Sequence, residues 1–264
     1  MPEHDPQPNA LYEDPAVYDI LHAPGTADDV DVLEAVHRQY VKDADAFWLE
    51  PACGSGRYLR LAARRGRRVI GFDLEAPMID YARRRAERQG LTDRMTFFVA
   101  DMRTFATQVK PKSIGLAFNL INTIRHLESD ADLLDHFEQV ASVLQPGGVY
   151  VVGLSLTLYG HEMPSEDVWE GARGRCRVSQ FIHYTPPIER DGDRLEQIYS
   201  HLTISRPSGT TEIPSSYALR TYDEAQWRRV LEQSPLRVIQ TLDQSGQPCI
   251  PEAPGYALWI LKSI

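Results

Sequence analysis

The chain has 264 residues, 42% of them hydrophobic, which allows one substantial core with an elaboration but hardly two large independent domains. A formal net charge of −9 opposes sequence-independent binding to a polyanion and so argues against nucleic acid as a partner. Cys53, Cys176 and Cys249 stand far apart with no CxxC pair, so neither a disulfide framework nor a metal site is expected.

The acidic, proline-rich stretch from Met1 to Asn9 has no apolar signal region, and no apolar run approaches bilayer length. These features predict a cytoplasmic protein with no membrane partner. Leu11–Leu21 and Val30–Val41 carry apolar residues at helical spacing and predict helices ahead of the core. Ala46–Leu49 then reads as a strand running into Glu50, followed by the turn Pro51-Ala52-Cys53-Gly54-Ser55-Gly56 and a helix over Tyr58–Arg65. Arg68–Phe72 is a second strand, ending at Asp73, and the helix from Met78 stops at Gly90. Met95–Ala100 and Ile114–Phe118 predict strands that end at Asp101 and Asn119. Ser129 reads as the cap of a helix that Pro146-Gly147-Gly148 stops, and Val149–Leu156 as a fifth strand. Strands alternating with helices imply an α/β fold, a mostly parallel, doubly wound sheet with helices on both faces. Arg64, Arg65, Arg67 and Arg68, then Arg83, Arg84, Arg85 and Arg88, read as solvated helix ends complementing the dipole, with an anionic partner as the alternative.

Between Thr157 and Arg220 the pattern changes. Val178–Tyr184, Leu195–Ile204 and Ile213–Leu219 are rich in β-branched and aromatic residues, with turns at Asp191-Gly192 and Ser208-Gly209, and predict an inserted antiparallel sheet. Thr221 and Glu224 have capping-box spacing for a helix to about Gln233, and Leu236–Leu242 and Tyr256–Leu261 predict two last strands at one edge of the main sheet.

Glu50, Asp73, Asp101 and Asn119 end four successive strands, and in a doubly wound sheet such ends converge on one crevice. Carboxylates there accept from hydroxyl and amino groups and repel phosphates, which points to a nucleoside rather than a polyphosphate. Gly54 and Gly56 let the main chain approach a ligand closely. A third glycine of a dinucleotide fingerprint would fall at Leu59, so an NAD(P)-dependent oxidoreductase is disfavoured.

Glu50-Pro51-Ala52-Cys53-Gly54-Ser55-Gly56, Gly71-Phe72-Asp73, Ala100-Asp101-Met102 and Leu144-Gln145-Pro146-Gly147-Gly148 resemble the ordered motifs of class I S-adenosylmethionine-dependent methyltransferases, over about Leu11–Leu156. The resemblance implies a seven-stranded Rossmann-like sheet, S-adenosyl-L-methionine as cofactor and S-adenosyl-L-homocysteine as product. It places Glu50, Ala52, Gly54 and Gly56 near the methionine part, Asp73 at the ribose, Asp101 and Met102 against adenine, and Asn119 beneath the sulfonium, with Leu74 as a further cofactor contact. Ala52 departs from the family's usual glycine. Tyr12-x-x-Pro15-x-x-Tyr18-Asp19 resembles the segment ahead of the core in small-molecule members such as glycine and sugar N-methyltransferases, which implies that Tyr18 covers the cofactor. A sulfonium beside an aromatic face has a physical rationale, and packing of the first helix is the alternative for Tyr18.

The expected division is a helical segment over 1–44, a cofactor-binding core over 45–156 and 221–264, and a substrate-covering sheet over 157–220. In that sheet Arg175 and Tyr217 are candidate substrate contacts, with Asn122 from the loop after the fourth strand. Arg175 and Arg220 could instead pair with Glu170, Glu189 or Glu212 at the surface. His126, which follows the fourth strand into the crevice, is the candidate base for a hydroxyl acceptor, against the alternative that it only packs there. The expected activity is methyl transfer to an N or O atom of a small molecule. A non-catalytic S-adenosylmethionine-binding scaffold is the reading from another class, and homodimerisation is left open.

Overall fold

The computed structural model describes residues 10–264, so the Met1–Asn9 stretch of the expected N-terminal segment lies outside the described residues. Asp14 opens the first helix, α1 (Pro15–Leu21), by accepting hydrogen bonds from the amides of Ala16 and Val17, and Pro15 sits in the first turn, where no N–H is needed. The second helix, α2 (Thr26–Tyr40), buries Val30, Val32, Leu33 and Val36.

The core then alternates: β1 (Phe47–Pro51), α3 (Arg57–Arg64), β2 (Val69–Asp73), α4 (Ala76–Arg88), β3 (Met95–Val99), β4 (Ile114–Asn119), α5 (Asp130–Val143) and β5 (Leu144–Leu156). After an insertion, α6 (Glu224–Glu232), β10 (Leu236–Leu242) and β11 (Gly255–Ser263) complete it. The seven strands lie in the order β10-β11-β5-β4-β1-β2-β3, and only the pairings made by β11 are antiparallel. All six residues of β4 are buried, as a central parallel strand covered on both faces requires. Adjacent residues Trp48 and Leu49 enter different core clusters, one with Leu59 and Phe118, the other with Phe72 and Trp259, because successive side chains of a strand point to opposite faces.

Three boundaries differ from the sequence reading. Pro146-Gly147-Gly148 does not separate helix from strand, because β5 already begins at Leu144. Its register with β4 shifts between Ile114↔Leu144 and Leu116↔Val149, and Gly147 at φ 85° permits that irregularity. The cap of α6 is Asp223, in a capping box with Gln226, rather than Thr221 with Glu224. Thr221 instead donates its hydroxyl to the Arg194 carbonyl. Arg67 and Arg68 lie beyond α3 rather than in it; Arg67 pairs with Glu34, and Arg65 pairs with Asp31.

The insertion is a four-stranded antiparallel sheet, β6 (Ser165–Arg173), β7 (Cys176–Thr185), β8 (Leu195–Arg206) and β9 (Gly209–Arg220), paired in that order. β6 carries no strand signal in the sequence. Its residues are mostly exposed and offer no apolar alternation, as expected of an edge strand paired on one side only. Val17, Ile20 and Leu21 of α1 form a core cluster with Val178, Leu202 and Ile204, so this first helix packs against the inserted sheet. Among the described residues no helix is long and apolar enough to cross a membrane.

Candidate active site

β1, β2, β3 and β4 end at one edge of the sheet, and beyond them lies a cleft of about 390 Å³. Asp73 faces it from the end of β2. Its Oδ2 accepts from the Gly54 amide at 2.7 Å and its Oδ1 from the Glu75 amide at 3.0 Å, so the carboxylate closes the glycine turn while keeping lone pairs for a ligand. Burial raises its pKa. Gly54, at φ 52°, also lines the cleft, and a Cβ there would stand 3.0 Å from the Tyr18 ring. Leu74, 62% exposed, and Met102, half-buried, both line the cleft.

Gly56 is not among the residues lining the cleft. It precedes α3 at φ 70°, and a Cβ would meet the Phe97 ring at 3.1 Å, so the absence of a side chain there serves helix-on-sheet packing. Ala52 lines the cleft with φ 49°, a conformation that costs an L-residue about 1–2 kcal/mol. Ala52→Gly relieves that strain but gives the unfolded chain more freedom. The expected net gain is about 0.5–1 kcal/mol, read as a rise in thermal midpoint; a fall would mean that the methyl group packs productively.

Glu50 is buried beside a narrow recess shared with Ala52, Asn119 and Tyr18. Among the described residues its Oε2 has no hydrogen-bond partner, and burial pushes its pKa well above the usual range. An orphaned carboxylate oxygen is costly, and a ligand ammonium would satisfy it. Asn119 is committed within the protein: its Nδ2 donates to the Pro51 carbonyl at 2.6 Å, and its Oδ1 accepts from the Tyr150 hydroxyl at 2.5 Å. It therefore fixes the end of β1 against β4 and β5. Asp101 accepts three bonds from Arg103, which lower its pKa, so any adenine amino group would share this carboxylate. Nothing in the sequence marks Arg103 for this role, since its reach to Asp132 spans 29 positions.

A second cavity, of about 720 Å³, lies against the inserted sheet. Tyr12, Tyr18, Thr123 and His126 line both cavities and mark their junction. Ile182, Tyr184 and Tyr217 supply an apolar and aromatic wall, while Asp28 and Asp29 lie on the α2 side. The one guanidinium lining it, Arg125, is closed on the Glu196 carboxylate at 2.7 Å and the Arg220 carbonyl at 2.8 Å. Asn122 also lines it, held at φ 63° by two hydrogen bonds with Ser155. Its neighbour Ile121, a β-branched residue at φ 47°, is a strained position at the mouth of the site.

His126 has a ring edge open to solvent within the cleft, and the Tyr12 hydroxyl lies 3.3 Å from its Nε2. The surrounding walls, and then Arg125, push its pKa down to about 4. Tyr217 stacks near this ring with centroids 6.3 Å apart, and burial pushes its hydroxyl pKa up to about 12. Arg175 is not brought to either cavity. It sits exposed in the turn between β6 and β7, where Gly174 takes φ 61°. Arg220 pairs with Asp130 rather than with the glutamates expected from sequence. Tyr12 and Thr123 were legible only as neighbours of residues singled out, and Asp28 and Asp29 resemble ordinary first-turn acids of a helix.

A doubly wound sheet with acidic strand ends, a glycine turn and an orphaned carboxylate beside the cleft is an arrangement that suits an adenosyl cofactor. The methyltransferase-domain family profile matches residues 49–148. A dTDP-3-amino-3,6-dideoxy-alpha-D-glucopyranose N,N-dimethyltransferase of Streptomyces fradiae is 32% identical over 240 residues, covering 88% of this chain and 87% of that one. The tRNA 5-carboxymethoxyuridine methyltransferase of Escherichia coli is 34% identical over 111 residues, 42% of this chain, which thus spans only 39% of that relative's length. In structure, DesVI of Streptomyces venezuelae superimposes with a TM-score of 0.73 at 21% identity, covering 94% of this chain and 98% of its own. KedS8, a sugar N-methyltransferase of a Streptoalloteichus species, superimposes at 0.69 with 18% identity, covering 98% of this chain and 97% of its own. The chain belongs to the S-adenosylmethionine-dependent methyltransferases, and S-adenosylmethionine is its cofactor.

Proposed function

We propose that the protein transfers a methyl group from S-adenosylmethionine to an amine nitrogen of a small molecule seated beneath the inserted sheet. The observation that carries this reading is the junction at Tyr12, Tyr18, Thr123 and His126, where the cleft meets the larger cavity. Asp28 and Asp29, together with an Arg125 already neutralised by Glu196, favour an amine over an acid. The Streptomyces fradiae relative and KedS8 are named for N-methylation of sugars, which supports an amino acceptor of that kind. An RNA substrate finds less support, since the Escherichia coli relative matches only part of the chain and the net charge is −9.

The cofactor supplies a methyl group already activated on a cationic sulfur. The chain's own residues bind, orient and exclude water, which contributes several kcal/mol without a dedicated base. In this reading Glu50 meets the ammonium of the methionine part, Asp73 the ribose, Leu74 and Met102 the base, and Asn119 sets the floor. Tyr18 covers the sulfonium, and Asn122 and Tyr217 touch the acceptor. His126, at the junction of the two cavities and with its pKa pushed down so that the ring is neutral, accepts a hydrogen bond from the substrate amine.

His126→Gln is therefore expected to cost about 0.5–1.5 kcal/mol in kcat/KM, roughly tenfold or less, with no inflection lost near neutrality because the ring stays neutral there. A loss of about 100- to 10,000-fold would restore the base role. The reading as a whole is tested by calorimetric titration with S-adenosylmethionine and S-adenosylhomocysteine, followed by an amine panel scored by S-adenosylhomocysteine release. Methylation of a hydroxyl in preference to any amine would overturn the acceptor class. Tight cofactor binding without turnover would favour a scaffold.

A further inference from the structure

The helix α1 carries Tyr18 toward the cleft and, at the next position, sends Asp19 into the protein. Asp19 is 1% exposed and gathers donors from the glycine turn, α3, α4 and β6. The Ser55 hydroxyl donates at 2.8 Å, the Arg60 guanidinium of α3 forms a close ion pair, and the Tyr81 hydroxyl of α4 donates at 2.8 Å. Arg173, at the end of β6, reaches its Oδ2 at 2.7 Å and also donates to the Tyr81 hydroxyl at 3.0 Å and to the Asp19 carbonyl at 3.3 Å.

Two neighbouring features show that this contact sets backbone positions. A Cβ on Gly171 of β6 would lie 2.1 Å from the Ile20 carbonyl, so edge strand and helix touch main chain to main chain, at a distance only glycine allows. Next to Asp19, Tyr18 rests on Gly54 of the cofactor turn, and its ring leads through His22 to Trp169 of β6, with centroids 4.4 Å and 4.9 Å apart. The sheet that walls the second cavity is thus tied to the tyrosine at the junction both by an ion pair and by a file of rings.

We infer that Asp19 and Arg173 are positioning residues, which hold Tyr18 over the glycine turn and make the inserted sheet and the cofactor cover a single closing body. The consequence is an order of events. An adenosyl ligand enters while α1 and the sheet are displaced together, and re-forming the contacts of the Asp19–Arg173 pair with Ser55, Arg60 and Tyr81 traps it and completes the wall of the acceptor cavity in one motion.

This inference rests on the reading that Tyr18 faces the bound cofactor, and the test separates the two. S-adenosylhomocysteine affinity and dissociation rate are measured on the full chain for wild type, Tyr18→Ala, Arg173→Met, the double variant and Arg173→Lys. The Arg173 side chain is 38% exposed, which favours folding of its variants, and Trp169 fluorescence checks the local packing. Each single loss is expected to weaken binding about tenfold through faster dissociation, the double variant to be no weaker than either single, and the lysine variant to recover most of the affinity. Losses that multiply in the double variant, or an Arg173→Met affinity within about twofold of wild type, would overturn the latch while leaving Tyr18 in place. Unchanged affinity in Tyr18→Ala would overturn the cover itself, and the latch with it.

Discussion

Asp73→Ala is expected to weaken S-adenosylhomocysteine binding by roughly 2–4 kcal/mol, about 30- to 1000-fold in Kd, because two charge-assisted hydrogen bonds to a ribose diol are lost. The structure adds a second route to the same loss. The carboxylate also accepts from the Gly54 and Glu75 amides, so its removal frees the turn that lines the cleft. Asp73→Asn keeps one acceptor oxygen and is expected to fall between wild type and alanine. Calorimetry distinguishes the contributions, since loss of turn geometry would also weaken ligands that lack both the 2′- and the 3′-hydroxyl, whereas loss of the ribose contacts would not. Equal affinity in wild type and Asp73→Ala would remove this residue from the site.

Why Asp73 was legible in the sequence and Asp19 was not has a physical answer. Strand ends are local: an apolar run that stops at Glu50, Asp73 or Asn119 announces its own position, and the topology of a doubly wound sheet brings those positions to one edge without further information. The glycine turn was legible for the same reason, although Gly54 and Gly56 differ in kind, one facing the cleft and the other packing on Phe97. Contacts between distant segments leave no such trace. Asp19 meets Arg173 across 154 positions, and Arg103 pairs with Asp132 across 29. The edge strand β6 escaped because solvent on most of its side chains removes the alternation by which strands are read, and Arg175 was placed in the site because composition cannot tell a pocket wall from a hairpin turn. The change at Ala52 was visible in sequence, but its left-handed backbone was not.

Asp19→Ala is expected to cost about 3–5 kcal/mol of folding stability, since it leaves Arg60 buried without its counter-charge. The pair alone does not explain that figure. Burial lowers the Arg60 pKa in spite of Asp19, so desolvation is not fully repaid on the guanidinium side. On the carboxylate side burial is also the largest single influence, but it opposes ionisation and is outweighed by Arg60 and by hydrogen bonds from Arg60, Ser55 and Tyr81, which together hold the pKa at about 2. A carboxyl whose folded pKa lies below its unfolded value of 3.8 stabilises fully above that value and loses the effect as pH falls toward 2. That difference corresponds to roughly 2 kcal/mol. Glu50 and Asp73 act in the opposite sense: their raised pKa values mean that ionisation at neutral pH costs stability, and acid relieves it. Urea midpoints at pH 7, 4 and 2.5 therefore separate the groups. Wild type is expected to lose stability steeply between pH 4 and 2.5, and Asp19→Ala, already weaker at pH 7, to lose distinctly less over that interval. Parallel pH profiles would show that the buried carboxylate is not what binds α1, α3, α4 and β6 together.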